Sequence, residues 1–303
     1  MIANKALRLT LLAIVVMIVA AGLSGCTSPT PTAAPTAAPS ATPSPAPQTL
    51  VLSTTTSMRD SGLLDVLLPA FEQANNAHVD VHAQGSGAAL AMGQSGDADV
   101  LIVHSPAAET TFMNAGYGWN RTLFAHNWFV IVGPASDPAG IKNMTNATLA
   151  FKRIYDNKST FVGRGDNSGT ATKELALWNG TGYTAPDNKS MSSWYQSTGQ
   201  GMLQTLQIAN QMGGYTLSDK STFLQNQKNL TGLTILVDAT PDMINKYDVI
   251  EVNATLHPNV NYALAHKFLQ FMISPETQVK ISNYGKDTVG QALFVADVLN
   301  QTT

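Results

Sequence analysis

The sequence is poor in cysteine, in charge and in long apolar runs. One cysteine in 303 residues excludes an internal disulfide framework and a zinc site made of four thiolates. Only 12% of the residues are charged, and 17 basic residues stand against 20 acidic ones, so the formal net charge is −3. A chain without a basic excess is not expected to bind nucleic acid. Its 44% of hydrophobic residues is nevertheless enough to build a globular core.

The first 25 residues have the pattern of a secretory signal. Lys5 and Arg8 precede a thirteen-residue apolar run, residues 11–23, which is shorter than the roughly 20 residues of a membrane-spanning helix. The run ends in Leu23-Ser24-Gly25-Cys26, which resembles the lipobox of secreted lipoproteins. That resemblance implies a signal peptide over residues 1–25 and a lipid on Cys26, and an uncleaved anchor helix is the alternative. Either way, the remainder is expected on the extracytoplasmic face of the cell membrane.

Residues 26–48 are predicted to be a linker. After Cys26 they consist of Thr, Ser, Pro and Ala, plus Gln48, and hold seven of the 15 prolines of the chain. Such a composition cannot bury a core and favours extended conformations. Nine Asn-X-Ser/Thr sequons follow, a density that suits a glycosylated cell-surface protein. They begin at Asn120, Asn143, Asn146, Asn157, Asn179, Asn188, Asn229, Asn253 and Asn300.

The body from residue 49 onward is predicted to be an α/β protein. Short apolar runs rich in β-branched residues, such as 49–53, 100–103 and 128–133, alternate with segments of helical periodicity such as 61–75. Strands and helices that alternate in this way predict mostly parallel sheets flanked by helices. A long amphipathic helix is expected over residues 261–284.

The body is also predicted to have two lobes. Residues 134–247 contain strands and helices of their own, and we interpret them as a second lobe inserted into a first lobe of residues 49–133 and 248–303. The chain would then cross twice between the lobes, near Gly133 and near Asp248. Two such crossings predict a hinge.

A run of hydroxyl side chains stands where a strand should end and a helix should begin. It reads Ser53-Thr54-Thr55-Thr56-Ser57. One Ser or Thr is enough to cap a helix, so ordinary capping explains one of these residues well and five of them badly. Hydroxyls beside the free N–H groups of a helix start indicate an anion site.

A second junction, Gly85-Ser86-Gly87-Ala88, follows a predicted strand over residues 79–83. Its small residues let the backbone approach a ligand closely, and Ser86 can donate a hydrogen bond. Gly-Ser-Gly is also a common turn, so this segment alone indicates little.

A third junction reads Gly163-Arg164-Gly165-Asp166-Asn167-Ser168-Gly169-Thr170, again between a strand and a helix. The planar donor fork of Arg164 suits an oxyanion, and Ser168 and Thr170 add donors at the helix start. Asp166 would repel a dianion, so we expect its carboxylate to orient Arg164 or to cap the helix. Arg-Gly-Asp also spells an adhesion tripeptide, although three-residue matches are frequent accidents.

Several long segments together resemble the tungstate-binding proteins of Tup-type ABC transporters. They are LSTTTSMRDSGLLDVLLPAFE, GSGAALAMGQSGDADVLIVHSP, WFVIVGPASDPAGI, GRGDNSGT, TGQGMLQTLQIANQMGGYTLSD and HPNVNYALAHKFLQFMISPETQ. The resemblance runs in order from about residue 49 to residue 295. It implies a two-lobed periplasmic-binding-protein fold of type II that closes over one oxyanion, without catalysis, cofactor or metal.

The resemblance also implies a ligand set and partners. The ligand would be tungstate, with molybdate as a related candidate, and the partners an ABC permease and the membrane that holds the lipid anchor; the receptor itself is expected to be a monomer. The implied oxyanion-binding residues are Thr54, Thr55, Thr56, Ser57, Ser86, Arg164, Ser168, Gly169, Thr170, Gln200 and Gly201.

Other functions leave different marks on a sequence. The same fold could bind molybdate, sulfate or phosphate, and phosphate would gain from Asp166 if its carboxylate faced the ligand. A surface sensor or adhesion module is a further alternative. The six histidines are expected at the surface or in loops, since His78 and His82 lie on a probable strand, where a four-residue spacing does not make a helical metal site. No Gly-X-Ser-X-Gly elbow follows a strand, which argues against a serine hydrolase.

Overall fold

The computed structural model describes residues 46–187 and 193–299. The predicted signal peptide, Cys26, nearly all of the linker and the sequons at Asn188 and Asn300 lie outside these residues. Among the described residues, no helix is both long and apolar enough to span a bilayer.

Ten strands occur in the described residues, eight of them in one large sheet. In chain order they are β1 (Gln48–Thr55), β2 (Ala77–Gln84), β3 (Val100–Val103), β4 (Gly118–Gly133), β5 (Phe161–Gly163), β6 (Tyr195–Ser197), β7 (Thr216–Asp219), β8 (Thr234–Val237), β9 (Ile244–Val252) and β10 (Val295–Ala296). The large sheet has the order β10-β4-β9-β3-β1-β2, and β7 and β8 also pair with β4. β5 and β6 form a separate parallel pair.

The large sheet is mixed, so the prediction of mostly parallel strands was wrong on this point. β1 runs parallel to β2 and β3, but every pairing of β4 and β9 is antiparallel. β3 and β4 do run in the same direction, as expected of a βαβ unit. β9 is inserted between them in the opposite direction, and the order of elements along the chain could not reveal this insertion.

Eleven α-helices connect or flank these strands in the described residues. They are α1 (Thr56–Asp60), α2 (Leu63–Asn75), α3 (Ser86–Ser95), α4 (Pro106–Asn114), α5 (Ala147–Asp156), α6 (Gly169–Gly180), α7 (Met202–Met212), α8 (Lys220–Asn226), α9 (Tyr262–Ile273), α10 (Pro275–Asn283) and α11 (Lys286–Val289). The long helix expected over residues 261–284 is in fact α9 and α10. Ser274 accepts a hydrogen bond from Thr277 N and caps α10, and Pro275 takes the first helical position, where its missing N–H costs nothing.

Buried apolar side chains form three clusters. The first packs α2, α7 and α9 against the sheet and includes Phe71, Met202 and Phe268. The second consists only of residues from 129 to 243, with Phe161 and Trp178 among them. The third surrounds the packing of α3 and α4 on β3 and β9. The middle of the chain therefore has an apolar core of its own.

Candidate functional site

Four helices begin at loops that meet in the fold. α1 follows β1, α3 follows β2, α6 follows β5 and α7 follows β6. The loops are in direct contact, because Gly87 N donates to Asn167 O at 2.9 Å and Met202 N donates to Thr56 Oγ1 at 3.2 Å. Helix starts present free N–H groups and the positive end of the helix dipole. The place where they meet is electrostatically suited to an anion.

Arg164 is the charged group at this meeting point. Its side chain is only 1% exposed, and its Nε has no hydrogen-bond partner among the residues that the structure describes. Its Nη2 lies 2.5 Å from Asp166 Oδ2 and 3.5 Å from Thr56 Oγ1. The backbone N–H of Arg164 donates to buried Glu174 at 3.2 Å, which fixes the loop. A buried guanidinium thus keeps an unused N–H donor.

Asp166 is turned toward Arg164 and the helix start. Besides the contact with Arg164, its Oδ1 accepts a hydrogen bond from Ser168 Oγ at 2.6 Å. Ser168 Oγ in turn accepts from Ala171 N at 3.0 Å and caps α6. Both oxygens of the carboxylate and the proton of Ser168 are therefore used within the loop, and Ser168 has a capping role.

Two further donors at the site are buried and unpartnered. Within residues 46–187 and 193–299, Ser86 Oγ and Thr170 Oγ1 have no hydrogen-bond partner, and both residues are 0% exposed. The two loops are tightly apposed, since a Cβ at Gly85 would lie 3.3 Å from Ser168 N. A buried hydroxyl without a partner costs roughly 1–3 kcal/mol, and native proteins rarely keep one without a reason.

The hydroxyl run separates into groups with different partners. Thr54 Oγ1 donates to Ile102 O on the neighbouring strand at 3.0 Å. Thr55 Oγ1 accepts from Met58 N at 3.3 Å and caps α1. The side chain of Thr54 is thus bound to the sheet, and that of Thr55 is bound to the helix start.

The hydroxyl of Thr56 differs from that of Thr54, because it accepts hydrogen bonds and its own proton is not used. Its Oγ1 contacts two groups, Arg164 Nη2 and Met202 N, and both of them are donors. The proton of the Thr56 hydroxyl therefore remains available for an acceptor. Gly201 lies against the same side chain, because a Cβ there would be 3.2 Å from Thr56 Cγ2. The neighbouring Gln200 has an exposed side chain.

His104 belongs to the same region and was missed by the sequence analysis. It lies in the loop between β3 and α4, in line with the expectation of surface or loop histidines, but its side chain is buried, with 3% exposed. Its Nε2 lies 3.1 Å from Ser57 Oγ, and its ring stacks on Tyr247 at 4.9 Å. Gly169 has no room for a side chain, since a Cβ there would be 2.3 Å from His104 O. Burial lowers the pKa of His104 to about 4, which leaves the ring neutral at pH 7.

Behind His104 lies a second polar group centred on Asp219, which is 0% exposed. Its Oδ2 accepts hydrogen bonds from Asn127 Nδ2 at 2.8 Å, Asn245 Nδ2 at 2.8 Å and Tyr247 OH at 2.6 Å. Its Oδ1 accepts from Ser221 Oγ and from Thr222 N. We call Asp219, Asn127, Asn245, Tyr247 and Ser221 the Asp219 cluster. Every side chain in it has partners for its polar atoms.

Known proteins are similar to this chain in sequence. The chain matches the family model described as PBP superfamily domain over residues 32–276. It is 45% identical over 291 residues to a protein of Haloferax volcanii named as an ABC transporter anion-binding protein, which covers 92% of this chain and 83% of that protein. It is 40% identical over 289 residues to the tungstate-binding protein TupA of Peptoclostridium acidaminophilum, covering 95% of this chain and 97% of that protein.

A solved structure agrees with these relatives. The crystal structure of the tungstate ABC transporter from Geobacter sulfurreducens aligns with a TM-score of 0.72 at 43% identity, over 79% of this chain and 100% of that one. The mixed sheet with flanking helices is consistent with a type II periplasmic-binding-protein fold, as the sequence motifs implied. The chain belongs to the Tup-type tungstate-binding proteins of the periplasmic-binding-protein superfamily.

Proposed function

We propose that this protein is an extracytoplasmic receptor that captures tungstate and delivers it to the permease of an ABC transporter. The observation that supports this most is the group of buried, unpartnered donors formed by Arg164 Nε, Ser86 Oγ and Thr170 Oγ1. Tungstate at pH 7 is a fully deprotonated tetrahedral dianion, so it accepts hydrogen bonds and donates none. A pocket of unused donors has the matching chemistry.

The proposed ligand shell combines side chains with helix-start backbone. Four side chains would donate to the anion, those of Arg164, Thr56, Ser86 and Thr170. Gly169 and Gly201 would donate from their backbone N–H groups. Hydrogen bonds to charged groups contribute roughly 1.5–3 kcal/mol each, so five or six of them are compatible with nanomolar binding after the cost of association. Other residues of the proposed site would line it without donating from a hydroxyl, since Thr54 and Ser168 use their hydroxyl protons within the protein. The full proposed set is Thr54, Thr55, Thr56, Ser57, Ser86, Arg164, Ser168, Gly169, Thr170, Gln200 and Gly201.

We further propose that the body works as two lobes, residues 49–133 with 248–303 and residues 134–247. The separate apolar core of residues 129 to 243 supports this division. Thr56 and Ser86 belong to the first proposed lobe, and Arg164 and Thr170 to the second. A dianion held by both sets would draw the lobes together, and the closed form would present both lobe surfaces to the permease.

The remaining assignments follow from the sequence. We propose a lipid on Cys26, a linker over residues 26–48 that holds the monomeric receptor away from the membrane, and glycans on the exposed sequons. Membership of a family of transporter binding components supports a receptor that captures its ligand without transforming it, and no cofactor is proposed.

Other oxyanions are the second candidate. Phosphate is partly protonated at pH 7 and would gain from a free carboxylate acceptor. Asp166 is instead engaged by Arg164 and Ser168, which favours an anion without protons. Molybdate shares the charge and shape of tungstate and therefore remains the nearest competitor.

Calorimetric titration of the purified protein with tungstate, molybdate, sulfate and phosphate tests the proposal. We expect tight tungstate binding that excess sulfate and phosphate do not displace. A preference for sulfate or phosphate would overturn the substrate. No heat with any of the four anions would overturn the receptor function and favour a sensor or adhesion module.

A further inference from the structure

The Asp219 cluster is joined to the proposed anion site through His104, and the direction of each hydrogen bond in this connection can be worked out. Asp219 accepts at least five hydrogen bonds, from two amides, two hydroxyls and a backbone N–H. A carboxylate with that many donors is ionised and can only accept. The amide nitrogen of Asn245 therefore faces Asp219, and its oxygen faces the other way.

The next step fixes the tautomer of His104. Asn245 Oδ1 lies 2.8 Å from His104 Nδ1, and an amide oxygen can only accept, so Nδ1 carries the hydrogen. A neutral imidazole has one N–H, and burial keeps this ring neutral at pH 7. His104 Nε2 is consequently an acceptor.

The third step reaches the hydroxyl run. Ser57 Oγ lies 3.1 Å from His104 Nε2, so Ser57 donates its only hydroxyl proton to the ring. Thr55 Oγ1 lies 3.1 Å from Ser57 Oγ, and since the proton of Ser57 is used, Thr55 must be the donor in that pair. Tyr247 also approaches Ser57, at 3.3 Å, but its proton goes to Asp219 at 2.6 Å.

We infer that His104 is a positioning residue of the anion site, which orients the hydroxyl protons of Ser57 and Thr55 toward the protein interior and so withholds them from the ligand. The direction is set by Asp219 and passes through Asn245, His104 and Ser57 to Thr55. Thr56, whose contacts are both donors, is then the residue of the run whose hydroxyl proton is free for the anion. This inference rests on the proposed oxyanion-binding function.

The orientation gives the site a fixed number of donors. Ser57 and Thr55 still shape the pocket and contribute backbone N–H groups at the start of α1, but their side chains do not compete with Arg164, Ser86 and Thr170 for the oxygens of the anion.

The first test is the tautomer of His104, measured in the protein labelled with nitrogen-15 at histidine. Long-range proton–nitrogen correlation spectra distinguish the two tautomers of each ring. We expect His104 to carry its proton on Nδ1 with a bare Nε2, both without ligand and after saturation with tungstate. His82, whose Nε2 lies 3.1 Å from Asp80 Oδ2, is the internal control and should favour the opposite tautomer, with its proton on Nε2. A proton on His104 Nε2 would overturn the inference.

The second test compares two hydroxyl deletions by calorimetric titration with tungstate. We expect Thr56→Val to weaken binding by about tenfold, as for the loss of one hydrogen bond to a charged ligand. The loss in Ser57→Ala should be at least threefold smaller than in Thr56→Val. Equal losses would overturn the inference. If Ser57→Ala fails to fold, the tautomer of His104 alone decides the inference. The tautomer is measured independently of the proposed receptor function, which fails only if the wild-type protein binds no oxyanion.

Discussion

Two buried polar groups lie side by side in this protein, and they differ in how completely they are hydrogen-bonded. In the Asp219 cluster, every polar side-chain atom has a partner within the protein. The second group, which we call the Arg164 cluster, consists of Arg164, Asp166, Ser86 and Thr170. Three of its side-chain atoms are buried without a partner in the described part of the chain.

The two clusters of buried polar side chains therefore have different effects on the protein. A fully bonded cluster stabilises one arrangement of the chain, because removing any member takes a hydrogen bond from each of its buried neighbours in a low-dielectric interior. An incompletely bonded cluster lowers the stability of the ligand-free protein, and that cost is recovered when acceptors arrive. Changes in the first cluster should therefore reduce stability, and changes in the second should reduce anion binding.

The largest effect is expected for Asp219→Ala. It would take the acceptor from Ser221 Oγ and from Thr222 N at the start of α8, which Asp219 caps, and it would remove the charged acceptor that Asn127, Asn245 and Tyr247 share. Each buried group left unpaired costs roughly 1–3 kcal/mol, so we expect the free energy of unfolding to fall by about 4 kcal/mol. Calorimetric unfolding would show a melting temperature lower by about 10 °C for a domain of this size. Asp238→Ala is the control, since that side chain is 51% exposed. An equal effect in both variants would contradict the structural role of the cluster.

Arg164→Ala should have the next largest effect, and on binding. Loss of the buried guanidinium is expected to weaken tungstate binding by at least 100-fold, about 3 kcal/mol for a charge-assisted contact. Titration calorimetry measures the change. The charge-matched control is Arg153→Ala, an exposed residue of α5. Similar losses in both variants would mean that overall charge, and no specific contact, attracts the anion.

Thr170→Val tests the comparison with one hydroxyl. Because Thr170 Oγ1 is unpartnered, its removal should cost no stability and weaken tungstate binding by about tenfold. Thr277→Val is the control, because it removes a buried hydroxyl that does have a partner: Ser274 Oγ donates to Thr277 Oγ1 at 3.1 Å. We expect a small loss of thermal stability there and unchanged binding. Lower thermal stability in Thr170→Val would show that its hydroxyl has a structural partner.

The smallest effect concerns pH. Burial and the neighbouring Asp248 raise the pKa of Glu109 to about 8, so the folded protein keeps a proton that the unfolded chain releases above pH 4.5. Stability from this group is present at low pH and is lost as the pH rises toward 8. His104, whose pKa is lowered, has the opposite slope, but only below pH 6.5.

Urea unfolding at pH 6.5 and pH 8 therefore isolates Glu109. We expect the wild-type protein to be less stable at pH 8 by about 1 kcal/mol and Glu109→Gln to lose that difference. Glu276→Gln, which removes an exposed carboxylate paired with Lys280, should keep it. A slope that survives in Glu109→Gln would assign the pH dependence to another group.

The local parts of the site could be predicted from the sequence, and the long-range parts could not. The hydroxyl run and the Arg164 loop each lie at a strand end followed by a helix start, a pattern written within a few consecutive residues. His104 follows the buried strand β3 directly, so its place at the same sheet edge was a usable signal. Its partner Asn245 is 141 residues away, and no local pattern could join the two.

The same limit applies to the fold. Strands and helices of residues 49–133 were recognisable because apolar periodicity is local. The insertion of β9 between β3 and β4 depends on pairing across more than 100 residues, as between Arg121 and Ile250. Pro275 was the one local signal left unused, since it separates α9 from α10.

The strand β4 has a further consequence for how the protein unfolds. Its 16 residues pair with β9 and β10 through the N-terminal part and with β7 and β8 through the last residues. Losing the pairing with β9 and β10, or the pairing with β7 and β8, would expose ladder amides of a strand that the other pairing still holds. The body should therefore melt in a single cooperative transition, with equal calorimetric and van't Hoff enthalpies, and the β4 amides should exchange their hydrogens only through global unfolding.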